Sequence, residues 1–472
     1  MLSYYSKMLH LTNTLTKKKE DFVPLSKDEV KIYHCGPTVY WNQHIGNMRG
    51  MLMGDLLRRS LIYLGYNVRY VRNYTDFGHL TSDADEGEDK MEKAAKREQL
   101  DPQKIADKYI KQFEEDTEAL NILDPTVKAR ATNYLEEMID MVSILLEKGF
   151  AYETPKAIYF DVSKFKDYTA LSGQNLELNQ VGAGTGTVSD PDKRNPQDFA
   201  LWFFKTGPHK NALQYWPSPF KSSEVENGYG FPGWHIECSA MVRKELGKSI
   251  DIHYGGVEHV PVHHTNEIAQ SESANGVRFV NYWLHNEHLN LNDKKIAKSD
   301  GNFILLSEIT KKGYDPMYLR YLFLQSHYRS KQNFTWEALD SAKNAYIKLV
   351  NTANSWGDKQ GVLIEQAIND FKEALEDDIN IPAALAVVWE MVKSDHEEAD
   401  KLATLLDFDK VLGLKLQEHI IAKRNESKEL DPEIIELIKK REQARENMDW
   451  QEADKIRARL KDEFGYSIVD AK

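Results

Sequence analysis

Cysteine is almost absent: Cys35 and Cys238 are the only two in 472 residues. Two thiols about 200 residues apart make no disulfide framework and fit a reducing, cytoplasmic setting. No run of about 18 apolar residues occurs, so no membrane-spanning helix and no membrane partner are expected. The first twenty residues lack an apolar core and a small-residue cleavage site, so no secretory signal is expected. A basic coat is missing too: 61 Lys and Arg stand against 74 Asp and Glu, a net charge of −13. Any nucleic acid would have to be met through a local basic track. Internal repeats and low-complexity tracts are absent. What remains, 41% hydrophobic and 29% charged residues, is an ordinary globular composition long enough for about three domains.

The first half alternates strand and helix patterns. Val30–Cys35 is strand-like and ends at Gly36-Pro37. A helix is expected from about Asn47 to Leu64, with Gly65 as its stop, and Asn67–Val71 reads as the next strand. Strand, helix, strand at this spacing predicts a parallel sheet, with ligands beyond the carboxyl ends of its strands. The pattern is helical from Pro102 to Gly149. Residues 150–230, rich in Gly, Pro and Asp, read as an insertion, and 233–302 as a second sheet-like block. After about Tyr318 the chain reads as helical, with a charged linker at Asn425–Glu433. The expected architecture is an α/β Rossmann-like catalytic domain with a parallel sheet (1–135 and 231–317) interrupted by an inserted subdomain (136–230). A helical bundle (318–425) and a small C-terminal module (426–472) follow.

Three sets of residues carry chemistry. His44-Ile45-Gly46-Asn47 lies between the first strand and its helix, where a helix N-terminus favours phosphate and a glycine lets a base approach the backbone. As a lone motif it is equally a helix cap. Lys295-Ile296-Ala297-Lys298-Ser299 puts two ammonium groups on one small-residue loop, suited to phosphates as charge builds on them; alone it reads first as a solvated basic turn. His263 and Glu267, four residues apart, share one face of a helix. Joined by two thiolates they would make a four-ligand zinc set, although spacing alone does not show that such distant residues converge.

Together the His-Ile-Gly-Asn and two-lysine motifs resemble the signatures of class I aminoacyl-tRNA synthetases. Tyr33–Tyr40 (YHCGPTVY), Gly233–Met241 (GWHIECSAM) and His263–Gln270 (HHTNEIAQ) narrow the resemblance to the cysteinyl-tRNA synthetase family, and it extends over nearly the whole chain. It implies zinc ligands at Cys35, Cys238, His263 and Glu267, and a cysteine pocket lined by Gly36, Thr75 and Trp234. It implies ATP contacts at His44, Gly46, Asn47, Gly255, Gly256, Glu258 and Lys298, with His44, Lys295 and Lys298 acting in catalysis. Zinc, magnesium with ATP, L-cysteine and tRNA(Cys) are the implied cofactors and partners, and a monomer is expected. The chemistry is coherent, since an apolar pocket separates near-isosteres such as cysteine and serine poorly. Zinc ionises a coordinated thiol and prefers soft sulfur. Glu267 is the ligand expected to yield if the substrate sulfur enters.

Some positions depart from the family pattern. Ile296 and Ala297 replace the Met and first Ser of the lysine signature, and Glu258 stands where Asp is usual. Ser82–Asp89 reads as a solvated acidic loop and Gly182–Gly186 as a flexible one. In the terminal module Lys439, Lys440, Arg441 and Arg445 share one helix and Arg457, Arg459 and Lys461 the next, suited to phosphate contact or to a salt-bridged surface. Trp450 is a candidate for stacking on an anticodon base, with burial between the two helices the simpler expectation. Two other functions share parts of this pattern: a ligase joining cysteine to an amino sugar, and a non-catalytic tRNA-binding paralogue. The long helical half argues against the first, and the retained lysines and ligand set against the second.

Overall fold

In the strand Val30–His34 (β3), Ile32 and Tyr33 face opposite sides of a sheet, and each side is buried. Strands covered on both faces belong to a parallel α/β sheet. The computed structural model describes residues 8–78, 90–174, 191–295, 303–429 and 432–464. Lys298, Ser82–Asp89 and Gly182–Gly186 lie outside them.

A hairpin of β1 (His10–Asn13) and β2 (Lys18–Asp21) precedes β3. After β3 come helix α1 (Ile45–Tyr63), β4 (Val68–Tyr74), α2 (Lys90–Glu98), α3 (Pro102–Ala119) and β5 (Val127–Arg130). Helix α4 (Leu135–Glu147) leads into an antiparallel sheet of β6 (Ala151–Glu153), β7 (Ala157–Phe160), β8 (Phe199–Phe204) and β9 (Gly230–Pro232). The chain then returns through α5 (Trp234–Glu245), β10 (Ile250–Gly256), α6 (His263–Asn275) and β11 (Val280–Asn286). The main sheet runs β11-β10-β3-β4-β5, parallel throughout. The two halves separated by the insertion therefore meet at the β3–β10 pair.

Helix α1 opens on a reciprocal cap: His44 Nδ1 accepts the Asn47 amide at 3.1 Å, and Asn47 Oδ1 accepts the His44 amide at 3.2 Å. It packs closely on the sheet because Gly54 has no side chain; a Cβ there would run into His34 and Tyr70. A smaller sheet follows β11: β12 (Leu289–Leu291) pairs antiparallel with β13 (Lys294–Lys295) and parallel with β14 (Gln332–Phe334). On the far side of the lysine loop, Ile45 donates its amide to Ile304 at 2.9 Å.

Between these lie α7 (Leu306–Lys311) and α8 (Pro316–Leu324). Helices α9 (Trp336–Ser355), α10 (Glu365–Glu376), α11 (Ile381–Lys393), α12 (Glu398–Leu412) and α13 (Leu416–Glu429) complete the helical half. The paired helices α14 (Pro432–Glu446) and α15 (Trp450–Phe464) close on Ile434, Leu437, Ile456 and Leu460. Among the described residues, no helix is long and apolar enough to cross a membrane.

Three expectations are corrected. The helical pattern over 102–149 is broken by β5: α3 stops before Asn121, at φ +54°, and Pro125 forbids its continuation. The expected linker at Asn425–Glu433 is mostly helix, since Pro432 occupies the first position of α14, where proline is tolerated. Trp450 is not buried between helices but 59% exposed, at the open start of α15, because smaller aliphatic side chains fill that interface.

Helix α1 is tied to the helical half by buried charge. Asp55 Oδ2 accepts from Arg59 at 2.8 Å and from Arg320 of α8 at 2.9 Å. Arg320 also donates to the carbonyls of Leu120 (2.8 Å), Asn121 (3.0 Å) and Leu412 (2.6 Å), so it caps the ends of α3 and α12. Burial would raise the Asp55 carboxyl, but the two guanidinium groups and the Leu123 amide outweigh it and hold it below its ordinary value. Asp55→Ala strands two buried cations and is expected to cost about 3–5 kcal/mol in urea unfolding followed by circular dichroism. Because its folded pKa is depressed, the wild-type advantage over this variant is present above the ordinary carboxylate range and shrinks as pH falls through it.

Candidate active site and metal centre

The carboxyl ends of β3, β10 and β11 border a cavity of about 210 Å³. Its walls include Cys35, Gly36, Gly46, Asn47, Gly256 and Glu258. Gly36 is needed where β3 turns outward: its amide donates to Asn73 Oδ1 at 2.7 Å, and a Cβ would overlap the Asn73 carbonyl. Thr75, just past β4, donates its hydroxyl to the buried Glu237 at 2.8 Å. Gly255 lies against the His264 ring, leaving no room for a side chain. Glu258 is half exposed, with its carboxylate over Gly256 and 3.6 Å from His288.

Four buried side chains meet at the base of this region. The donor atoms of Cys35, Cys238, His263 and Glu267 all lie within 4.8 Å of one another. Three elements bring them there: the end of β3, the first turns of α5, and α6. The i,i+4 spacing on α6 puts His263 Nε2 2.9 Å from Glu267 Oε1. Trp234 stacks on His263, with ring centroids 4.2 Å apart and planes at 17°.

The charges in this cluster are strongly coupled. Burial and the neighbouring Cys238 push the Cys35 thiol well above its ordinary value. Cys238 goes the other way: burial opposes its ionisation, but the hydrogen bond with Cys35 and the adjacent His263 pull it down to about 6. Burial would neutralise His263, yet Glu267 and Cys238 hold it up to about 10. Burial likewise opposes ionisation of Glu267, but His253 and His263 keep it a carboxylate. A thiolate and a carboxylate thus share a closed pocket with one imidazolium. A divalent cation could replace that proton, and the two-sulfur, one-nitrogen, one-oxygen donor set suits zinc.

Sequence reasoning did not single out the histidines behind this centre. His253 Nε2 lies 2.9 Å from Glu267 Oε2, and His264 Nε2 lies 3.4 Å from Cys35 Sγ. His264 continues to His285 at 2.7 Å, and His285 to the Thr14 hydroxyl at 2.7 Å. His235 reaches His263 at 3.0 Å. Cys35, His253, His264 and Glu267 form a second set within 4.8 Å. The available signal was density: six of fifteen histidines fall between positions 253 and 288.

The first signature motif reaches this cleft through Gly46 and Asn47. His44 caps α1, and its Nδ1 is an acceptor, so the neutral ring carries its proton on Nε2. Lys295 ends β13. Its partner Lys298 lies outside the described residues.

Residues 21–344 match the model of the class I (C) tRNA synthetase catalytic domain, and 370–417 that of the DALR domain. A cysteine--tRNA ligase of Treponema denticola is 42% identical, with 96% of each chain covered. One from Thermus thermophilus is 39% identical, with 98% of each covered. In fold, the chain resembles Mycobacterium tuberculosis methionyl-tRNA synthetase bound by methionyl-adenylate, at a TM-score of 0.56 and 13% identity over 84% of this chain and 93% of that one. With a matching catalytic domain across most of its length and relatives aligned nearly end to end, the chain belongs to the cysteine--tRNA ligase family of class I aminoacyl-tRNA synthetases.

Proposed function

We propose that this enzyme activates L-cysteine with ATP and transfers it to tRNA(Cys), selecting the substrate by its sulfur. The observation that carries the reading is the convergence of Cys35, Cys238, His263 and Glu267 at the base of a cleft that also reaches Gly46, Asn47, Gly256 and Glu258. A zinc ion held by those four side chains would favour a substrate thiolate over a serine hydroxyl. Gly36, Thr75 and Trp234 would line the cysteine pocket. Thr75, its hydroxyl hydrogen committed to Glu237, offers an oxygen acceptor to the substrate ammonium group.

In the first step the cysteine carboxylate attacks the α-phosphorus of magnesium-bound ATP, and the bond to pyrophosphate breaks. Gly255 and Gly256 admit the adenosine, Glu258 meets the ribose, and Gly46 and Asn47 flank the nucleotide. His44 donates from Nε2 to the α-phosphate. Lys295 and Lys298 stabilise the leaving pyrophosphate, so catalysis is positioning and electrostatics rather than covalent chemistry. In the second step a terminal ribose hydroxyl of the tRNA attacks the activated carbonyl and AMP leaves. The helical half, proposed as 318–425, and the terminal module, proposed as 426–472, would hold the tRNA. Exposed Trp450, with Arg445 6.0 Å from its ring, is a stacking platform for an anticodon base.

The deciding experiment offers labelled cysteine, with serine as control, to the protein with ATP, magnesium and total tRNA. Charging of one tRNA species with cysteine is expected. Cysteine-dependent adenylation without charging would turn the reading to a small-molecule acceptor such as an amino sugar. Metal analysis after dialysis is expected to find one zinc per chain, lost in Cys238→Ser but kept in His264→Asn; the reverse pattern would select the second donor set. Trp450→Ala is expected to raise the KM for tRNA about 5- to 100-fold, the range of one lost stacking contact, with ATP–pyrophosphate exchange unchanged.

A further inference from the structure

Asp378 lies in the turn between α10 and α11, inside the segment that matches the DALR domain. It is 2% exposed, and both it (φ +61°) and the next residue, Ile379 (φ +54°), are in the left-handed region. For a β-branched residue that conformation persists only where the surroundings dictate it. Here they do, because two distant parts of the chain converge on one carboxylate. Thr12 of β1 donates its amide to Oδ1 at 2.8 Å and its hydroxyl to Oδ2 at 2.6 Å. Tyr328 donates to Oδ1 at 2.7 Å, and Arg329 donates to Oδ2 from Nε at 2.8 Å and Nη2 at 2.7 Å. The backbone adds His327 on the Asp378 carbonyl at 2.9 Å and the Asp378 amide on His10 at 3.0 Å.

The other side of segment 327–332 is held from the cleft. Arg49, fully buried one turn into α1, donates to the carbonyls of His327 (3.2 Å), Ser330 (3.0 Å) and Glu287 (2.6 Å) and to the Gln332 side chain (3.0 Å). Gln332 begins β14, which pairs with β12 and through it with β13, the strand that enters the lysine loop. Gly46, Asn47 and Gly50, on either side of Arg49, line the cleft. A continuous set of hydrogen bonds therefore runs from the α10–α11 turn through Asp378, segment 327–332 and Arg49 to the nucleotide end of α1.

We infer that Asp378 is a positioning residue for the transfer step: it holds the helical half in register with α1, so that a tRNA engaged on the helices delivers its 3′ end to the adenylate. The inference rests on the tRNA-charging reading above. Asp378 touches no substrate. Its loss should leave adenylate formation and the tRNA-binding surface intact while misplacing the acceptor end.

Asp378→Asn is the informative variant, because Asn keeps the volume and tolerates the left-handed backbone. Either orientation of its amide sets an NH2 group against a donor, Arg329 on one side or the Thr12 amide on the other. The full-length protein is assayed for ATP–pyrophosphate exchange, for tRNA charging, and for single-turnover transfer from preformed adenylate. Exchange within twofold of wild type, tRNA KM within threefold, and transfer slowed at least tenfold are expected. A smaller loss with the same split is expected for Tyr328→Phe, which removes one donor and decides the matter if the Asn variant does not fold. Exchange and transfer falling in parallel would reduce Asp378 to a structural role, and unchanged transfer would overturn the inference. Failure of the wild type to charge any tRNA would instead remove the reading on which it rests.

Discussion

A carboxylate sealed between two guanidinium groups makes one body of the catalytic sheet and the helical half. Asp55, Arg59 and Arg320 are all buried, and Arg320 satisfies the carbonyl ends of two further helices. An ion triad of this kind contributes less to net stability than its charge suggests, since desolvation offsets much of the attraction. What it does supply is uniqueness. Each guanidinium hydrogen bond has a direction, and a helix rotated or shifted by one residue would leave a cation unpaired. Gly413, left-handed at φ +62° and pressed against the Arg320 guanidinium, shows how little space the arrangement leaves.

The base of the cleft follows the opposite logic. There, two thiols, a carboxylate and several imidazoles are crowded together, and the positive charge sits on the His263 ring. Glu267 stays a carboxylate because His253 and His263 face it, and Cys238 is the more acidic of two adjoining thiols. The histidines behind the first four donors fix their orientation through a second layer of hydrogen bonds, running as far as Thr14. Outer partners of this type set which atom of each donor points inward, and they matter to a metal centre nearly as much as the donors.

Much of this was legible in the sequence where the information is local. The i,i+4 pair His263 and Glu267, the helix stop at Gly65 and the strand–turn–helix around His44 all depend on neighbours within a few residues. The thiols stood out by scarcity, and the family resemblance brought them together. Local periodicity failed at β5, a four-residue strand between helices that Pro125 announces. It also failed at Trp450, whose exposure depends on how its partner helix is packed. Asp378 carried no signal at all. Its partner Thr12 is 366 positions away, and no periodicity links a turn between two helices to the first strand of the chain.

The order of strands in the main sheet has a consequence for synthesis. β3 sits between β4, made some thirty residues later, and β10, made some two hundred later. At ribosomal speeds of about 5–20 residues per second, that second gap lasts on the order of 10–40 s. Until Ile250–Gly256 emerges, one edge of Val30–His34 has no neighbour, and Cys35 beside it has neither Cys238 nor α6 for company. An open, apolar strand edge is a template for other strands. A nascent chain of this protein therefore passes through a stage at which the strand leading into Cys35 is an open template for pairing.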